Sequence, residues 1–391
     1  MITAIAETPH QAPHRDVRPQ APARLTARTL PYAARPSIVA AATVLGAAAV
    51  FVGGASIAGG LALAAVAGTA GVVVASLVVE GRRRATDRMV HALMTAAFVL
   101  AVIPLVSLLA TVVNKGWASL SWQFITQTGG TAFDPTTLKV LTTAGAWQAV
   151  VGTLIITGIA VALSVPIGVL TAIYLVEYAN PRGWMARTTT FLVDVMTGIP
   201  SIVAGLFAFS LASLLVGPKA FSGFSASVAL SVLMIPIVVR STEEMLRIVP
   251  DDLREASLAL GATKVVTTLR IVLPTAATGI LTGVMLAVSR IVGETAPIFI
   301  AASFTDNFSA DPFHGPMQTL PVMAYANYKF PGTDIAASYQ SAWGAALLLV
   351  LLVVALNLAA RLTARLVSGA RRGRSSARRT PAEASMRDTH P

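Results

Sequence analysis

Cysteine is absent from the 391 residues, so a disulfide, a thiolate zinc site and a cysteine nucleophile are all excluded. Charge is scarce as well. Asp, Glu, Lys and Arg together make up 12% of the chain, against about 25% in soluble domains, and acidic residues are the rarer sign, 18 against 29 basic. The histidines, His10, His14, His91, His314 and His390, are scattered without metal-ligand spacing, and no Ser, His and acid set falls within one run. No Gly-x-x-x-x-Gly-Lys-Ser/Thr loop occurs, so nucleotide cannot be held by that mechanism. An enzyme reading is unsupported.

What is present in excess is apolar. Hydrophobic residues reach 55% and the mean hydropathy is +0.71, and the apolar runs recur along most of the chain. This pattern predicts an all-α polytopic membrane protein, one integral domain with polar tails and no room for a sizeable soluble domain. The runs fall at 37–53, 60–79, 89–113, 147–178, 190–216, 225–239, 275–302 and 341–360, about eight transmembrane helices. Residues 1–36 are rich in Pro, Ala and Arg and read as a disordered inner tail. The chain divides into this tail, an accessory hairpin at 37–79, a helix and outer loop at 89–146, a core at 147–365, and a basic tail at 366–391.

The fourth run exceeds the roughly 20 residues needed to span, which calls for tilt or a bend, marked by Pro166 and Gly168. The fifth is interrupted by Gly198-Ile199-Pro200-Ser201. A break there releases backbone groups that need partners in lipid, so Gly198, Pro200 and Ser201 should face protein or a water-filled cavity.

A net charge of +11 would suit nucleic acid, but the basic residues lie between and outside the apolar runs, where their role is orientation beside lipid. With both termini inside, 24 of the 29 Lys and Arg fall in inner segments, while Lys115, Lys139, Lys219 and Lys329 are outside and Arg290 is intramembrane. The expected location is the bacterial plasma membrane, multi-pass, with both termini cytoplasmic.

Two stretches carry the chemistry. The inner loop 240–274 interleaves Leu253, Ala256, Leu260 and Val265 with Arg254, Glu255, Lys264 and Arg270, an amphipathic helix broken near Gly261. Periodicity alone permits a helix lying on the membrane surface. In the seventh run, Arg290 lies 15 residues past Thr275, about 22 Å along a helix and well inside a core roughly 30 Å thick. Glu294 is four residues on, which places it on the same face of a continuous helix. The two either neutralise one another as a structural pair or line a polar pathway. Glu177, Asp194 and Arg240, near the ends of runs, are expected at the inner interface as snorkelling or inter-subunit contacts.

The spacing Glu255-Ala256-Ser257, Gly261, Ile271, Leu273-Pro274 resembles the EAA loop of importer-type ABC permeases, with Ser257 in place of the family's second Ala. Further matches are Leu120-Ser121-Trp122 with Phe124, Gly198-Ile199-Pro200-Ser201, Arg290 with Gly293-Glu294-Thr295-Ala296-Pro297, and Thr319-Leu320-Pro321-Val322. They make the chain similar to the permeases of the phosphate-specific ABC uptake system, the PstA type more than the PstC type. The hairpin at 37–79 lies outside that family's usual six spans.

The resemblance implies a type I ABC importer permease fold in which Glu255, Ala256, Gly261, Leu273 and Pro274 belong to the loop that couples to a separate ATPase. It also implies a second permease subunit of the PstC type, two ATP-binding subunits that hold ATP and Mg, and an extracytoplasmic phosphate-binding protein. No cofactor is then bound by this chain. The rival readings are a permease for sulfate or molybdate, an ion-gradient-driven secondary transporter, and a structural membrane subunit. The secondary transporter would be favoured by internal symmetry, which the sequence lacks.

Overall fold

The computed structural model describes residues 30–31, 33–51, 56–134, 139–217 and 220–376. Most of the tail at 1–36, the end of the tail at 366–391, and Lys219 lie outside the described residues. Two compact units divide at Ser107 and Leu108.

The first unit holds α1, Ala34–Phe51, and α2, Ile57–Val79. They approach so closely that a Cβ added at Gly46 would lie 2.4 Å from the Gly60 carbonyl oxygen. α2 ends at Glu80, whose carboxylate accepts from the Leu30 N–H at 2.7 Å, from Ser76 Oγ at 2.9 Å and from Arg88 Nη2 at 2.9 Å. The Leu30 amide, with help from Ser76 and Arg88, holds the Glu80 carboxyl below the usual carboxylate range. α3, Arg82–Trp117, begins in this unit and ends in the second.

In the second unit the polar stretch after α3 folds into a short α4, Trp122–Thr126, and an antiparallel ribbon of β1, Thr128–Asp134, and β2, Lys139–Ala146. The ribbon is an addition to the all-helical expectation. α5, Trp147–Ile173, passes through Pro166 as one helix, and its irregular turn comes later, as a π-helical turn at Tyr174–Tyr178. Packing holds α5 in place at the proline, since Gly168 lies against Val238, where a Cβ would meet Cγ1 at 2.7 Å.

α6, Trp184–Thr197, and α7, Ser201–Val216, are the two limbs of the fifth run, bent by 107° across Gly198–Pro200. α8, Gly223–Arg247, is the central helix, with buried residues along most of its length. Its Ser227 and Ser231 return their hydroxyls to carbonyls one turn back, at 2.8 Å each, so α8 places polar side chains in an apolar setting with their donors satisfied. The inner loop supplies α9, Asp251–Ala259, and α10, Lys264–Thr267, then a second π-helical turn at Thr268–Val272.

α11, Leu273–Val292, packs against α8, with Gly283 facing Ser241 and Gly279 facing Met245. α12, Ala296–Ala302, α13, Leu320–Lys329, and α14, Ile335–Ser376, complete the unit. The main apolar core lies among α5, α8, α11 and α12, around Ile156, Leu230, Met234, Val238 and Ile291.

Among the described residues, six helices are long and apolar enough to cross a membrane, and the bent α6–α7 pair makes a seventh. α1 is the eighth apolar segment and is shorter than the others.

Candidate functional site

The inner loop begins where Pro250 ends α8's descent and Asp251 and Asp252 open α9, acidic side chains at the positive end of a helix dipole. Glu255 and Ala256 are exposed on α9, and Glu255 forms no ion pair among the described residues. Leu258 and Leu260 beside them are 49% and 88% exposed, so α9 offers an uncovered apolar edge next to a carboxylate. Gly261 stands at φ +81, a left-handed conformation that costs a residue with a Cβ about 1–2 kcal/mol. That glycine turns the chain between α9 and α10. Leu273 and Pro274 are half-buried at the start of α11.

Ser257, the departure from the EAA pattern, is buried, and its hydroxyl lies 2.9 Å from the Thr267 hydroxyl. An alanine there could not make this bond. Ser257→Ala is expected to cost the loop about 1 kcal/mol, which speeds hydrogen exchange of the α9 and α10 amides about fivefold. Unchanged exchange would show that the bond contributes nothing to holding α9.

The charges expected at the inner interface form pairs within the chain. Arg240 on α8 reaches Asp194 on α6 and, at 2.8 Å, Glu243. Glu177 accepts from Arg254 of α9 at 2.9 Å. Asp194 and Arg240 thus tie α6 to α8, and Glu177 ties the end of α5 to α9. The missed signal was pairing across 46 and 77 residues of sequence, which local patterns do not register.

Arg290 occupies the last turn of α11 and is exposed. Glu294 is half-buried in the link between α11 and α12. The expectation of one helix face carrying both fails, because α11 stops at Val292 and no ion pair joins the two residues. Pro297 is the cause: its ring excludes the carbonyl of Gly293, four residues back, and it offers no N–H to continue the ladder. The seventh apolar run, 275–302, is therefore a helix, a bend and a second short helix.

The bend brings two sequence-distant features together. α7, the outer limb of the broken span, meets α12 so closely that a Cβ on Gly205 would lie 2.7 Å from Pro297 Cα. The Gly198–Ser201 break and the Arg290–Pro297 segment thus frame one region of the unit. Next to Arg290, Ser289 donates to Asn357 Oδ1 of α14 at 2.9 Å. The lone amide in the last apolar run was a legible signal, since a polar side chain in a span needs a partner.

Several apolar helices of spanning length, one bent span and a short amphipathic helix in the loop between two spans are the build of a membrane permease subunit. The family model described as "Binding-protein-dependent transport system inner membrane component" matches residues 164–372. The Mycobacterium tuberculosis protein named phosphate transport system permease protein PstA 1 is 43% identical over 272 residues, 69% of this chain and 85% of that protein. The Yersinia pestis protein named phosphate transport system permease protein PstA is 35% identical over 267 residues, 68% of this chain and 86% of that one. Among solved structures, a chain of a bacterial alginate ABC transporter aligns with TM-score 0.49 and 13% identity, over 72% of this chain and 96% of that chain. The chain belongs to the PstA family of ABC importer permeases, multi-pass membrane subunits that work in a complex with ATPase and substrate-binding partners.

Proposed function

We propose that this chain moves inorganic phosphate across the plasma membrane, paired with a PstC-type permease, two ATP-binding subunits and an extracytoplasmic phosphate-binding protein. The observation that carries the reading is the 43% identity over 272 residues to a relative named for phosphate transport. Physical chemistry supports it. An anion in hydrocarbon requires a cation, and the fork of Arg290 can hold two phosphate oxygens at once. Glu294, set in the bend beyond α11, serves as acceptor for the proton that phosphate carries near neutral pH, and repels an oxyanion that carries none.

Glu255, Ala256 and Gly261 form the face on which the ATPase acts, and ATP and Mg are bound by that partner, which leaves this chain without a cofactor. The broken segment Gly198, Pro200 and Ser201 lines the pathway beside Arg290. Both termini are cytoplasmic, on the distribution of Lys and Arg. Nucleotide closes the ATPases, the coupling loops move, and the spans reorient because each state binds its ligand differently.

In the reconstituted complex, phosphate and arsenate with their binding protein should stimulate ATP hydrolysis, while sulfate and molybdate with theirs should not. Stimulation by sulfate or molybdate alone would assign a different oxyanion. Uptake by this chain alone, in liposomes under an ion gradient, would make it a secondary transporter.

A further inference from the structure

We infer that Arg254 and Glu177 form a strut that carries motion of the coupling helix into α5, with the π-helical turn Tyr174–Tyr178 as the receiving element. This rests on the function proposed above and adds a positioning pair to it. α9 is joined to its neighbours in sequence by Ile248–Pro250 on one side and by the Gly261 turn on the other, and a short helix between two turns rotates under load unless a side chain braces it. Arg254 supplies the brace. Its Nε and Nη2 donate to Glu177 Oε1 at 3.1 and 2.9 Å. Nη1 donates to the Val249 carbonyl at 2.6 Å and to Asp251 Oδ1 at 3.0 Å, and Nη2 also to the Leu246 carbonyl at 2.9 Å.

These contacts occupy every N–H of the guanidinium fork, so the side chain has no alternative orientation within the loop. The pair is also largely buried. Side-chain exposure is 16% for Arg254 and 6% for Glu177, and two charges removed from water persist only with good geometry and satisfied donors. A charge whose only role was to keep the loop wetted would not meet that condition.

The receiving end is equally specific. The π turn, closed by the Ala179 N–H on the Tyr174 carbonyl at 2.8 Å, inserts one residue into the helix. The turn is the last of the helix and carries Glu177 within it, against the Arg254 guanidinium of α9. The same turn is gripped a second time, by Lys264 of α10 over the Tyr178 ring at 5.3 Å. From there α5 runs unbroken to its other end, where the Thr153 hydroxyl accepts from the Leu320 N–H at 2.9 Å. The strut therefore links the ATPase-facing loop to the Thr319–Val322 segment, on the side where a binding protein would dock, through one rod.

The chain contains no cysteine, so with partner subunits stripped of reactive cysteines a direct test is available in the full complex in proteoliposomes. Glu177→Gln is expected to leave complex yield and basal ATPase within about twofold, and to lower both the stimulation by the loaded binding protein and the phosphate taken up per ATP at least tenfold. Arg254→Lys should behave alike, because an ammonium keeps the charge and loses the fork. Glu177→Cys with Arg254→Cys should be uncoupled until a short bifunctional thiol reagent bridges the pair, and then recover most of the lost stimulation.

Normal stimulation and normal uptake per ATP in Glu177→Gln would overturn the strut. So would a parallel loss of yield, basal ATPase and uptake that bridging fails to restore. If the unaltered complex moves no phosphate, the functional reading fails instead, and the two failures are told apart by that control.

Discussion

Arg290→Gln is expected to reduce phosphate uptake about 100-fold in proteoliposomes holding an intact complex, the largest effect predicted for any single side chain in the spans. Arg290 is exposed on this subunit, in the last turn of a helix long and apolar enough to cross a membrane. A bare guanidinium at that depth costs several kcal/mol, so it must meet water, a neighbouring subunit or the transported anion. Hydrogen bonds to a charged partner contribute about 1.5–3 kcal/mol each, and the loss of a bidentate contact worth roughly 2.7 kcal/mol corresponds to the 100-fold change. Arg290→Lys retains the charge without the fork and should fall about tenfold, an intermediate result that separates charge from geometry. Uptake by Arg290→Gln at the unaltered rate would remove this residue from the pathway. The side chain is exposed in the last turn of α11 and, unlike its neighbour Ile291, is not part of the core, so the substitution leaves folding intact and the reading is of transport alone.

Glu255→Arg acts at the other end of the same helical path, and should separate the permease from its ATPase on purification. Glu255 is exposed on α9 and forms no ion pair within the described residues, so its carboxylate is available to a partner. Reversal of a charge in a docked polar contact costs about 2–5 kcal/mol, or a loss of roughly 30-fold to several thousand-fold in affinity. The expected outcome is loss of co-purified ATPase with the permease still inserted in the membrane. A complex recovered at normal stoichiometry, with coupled turnover, would show that α9 docks through its apolar edge without Glu255. α11 alone puts about 25 Å between Leu273, where the loop carrying Glu255 ends, and Arg290, so the two variants act on different regions and their effects should add in a double variant.

Much of this organisation is legible in the chain itself. Apolar runs of membrane-spanning length are local features, and so are the Gly198–Pro200 interruption and the Glu255 to Pro274 spacing, since each depends on residues close together in sequence. The end of α11 is also written locally, in Pro297, whereas the four-residue spacing of Arg290 and Glu294 puts them on one face only if the helix continues. Proline's missing donor and its clash with Gly293 outrank that periodicity.

The register of the π turn at Tyr174–Tyr178 was not legible, and the irregularity was expected at Pro166 instead. A proline inside a helix loses one bond, and neighbouring packing at Gly168 and Val238 holds the helix in line. The extra residue of a π turn has no local signature, because its benefit is the distant contact it allows.

By itself, then, the sequence determined the membrane class, the number of apolar segments, the break at Gly198–Pro200 and the presence of an arginine within an apolar segment. Transfer free energy and backbone hydrogen bonding decide those matters residue by residue. Only the tertiary structure decided which charges are paired. Arg254 is satisfied by Glu177 and by the end of α8, Arg240 by Asp194 and Glu243, while Arg290 and Glu255 form no ion pair among the described residues. The reason is physical: whether a charge is neutralised or available depends on what lies within about 4 Å of it, and across the bundle that is set by helix packing and not by chain order.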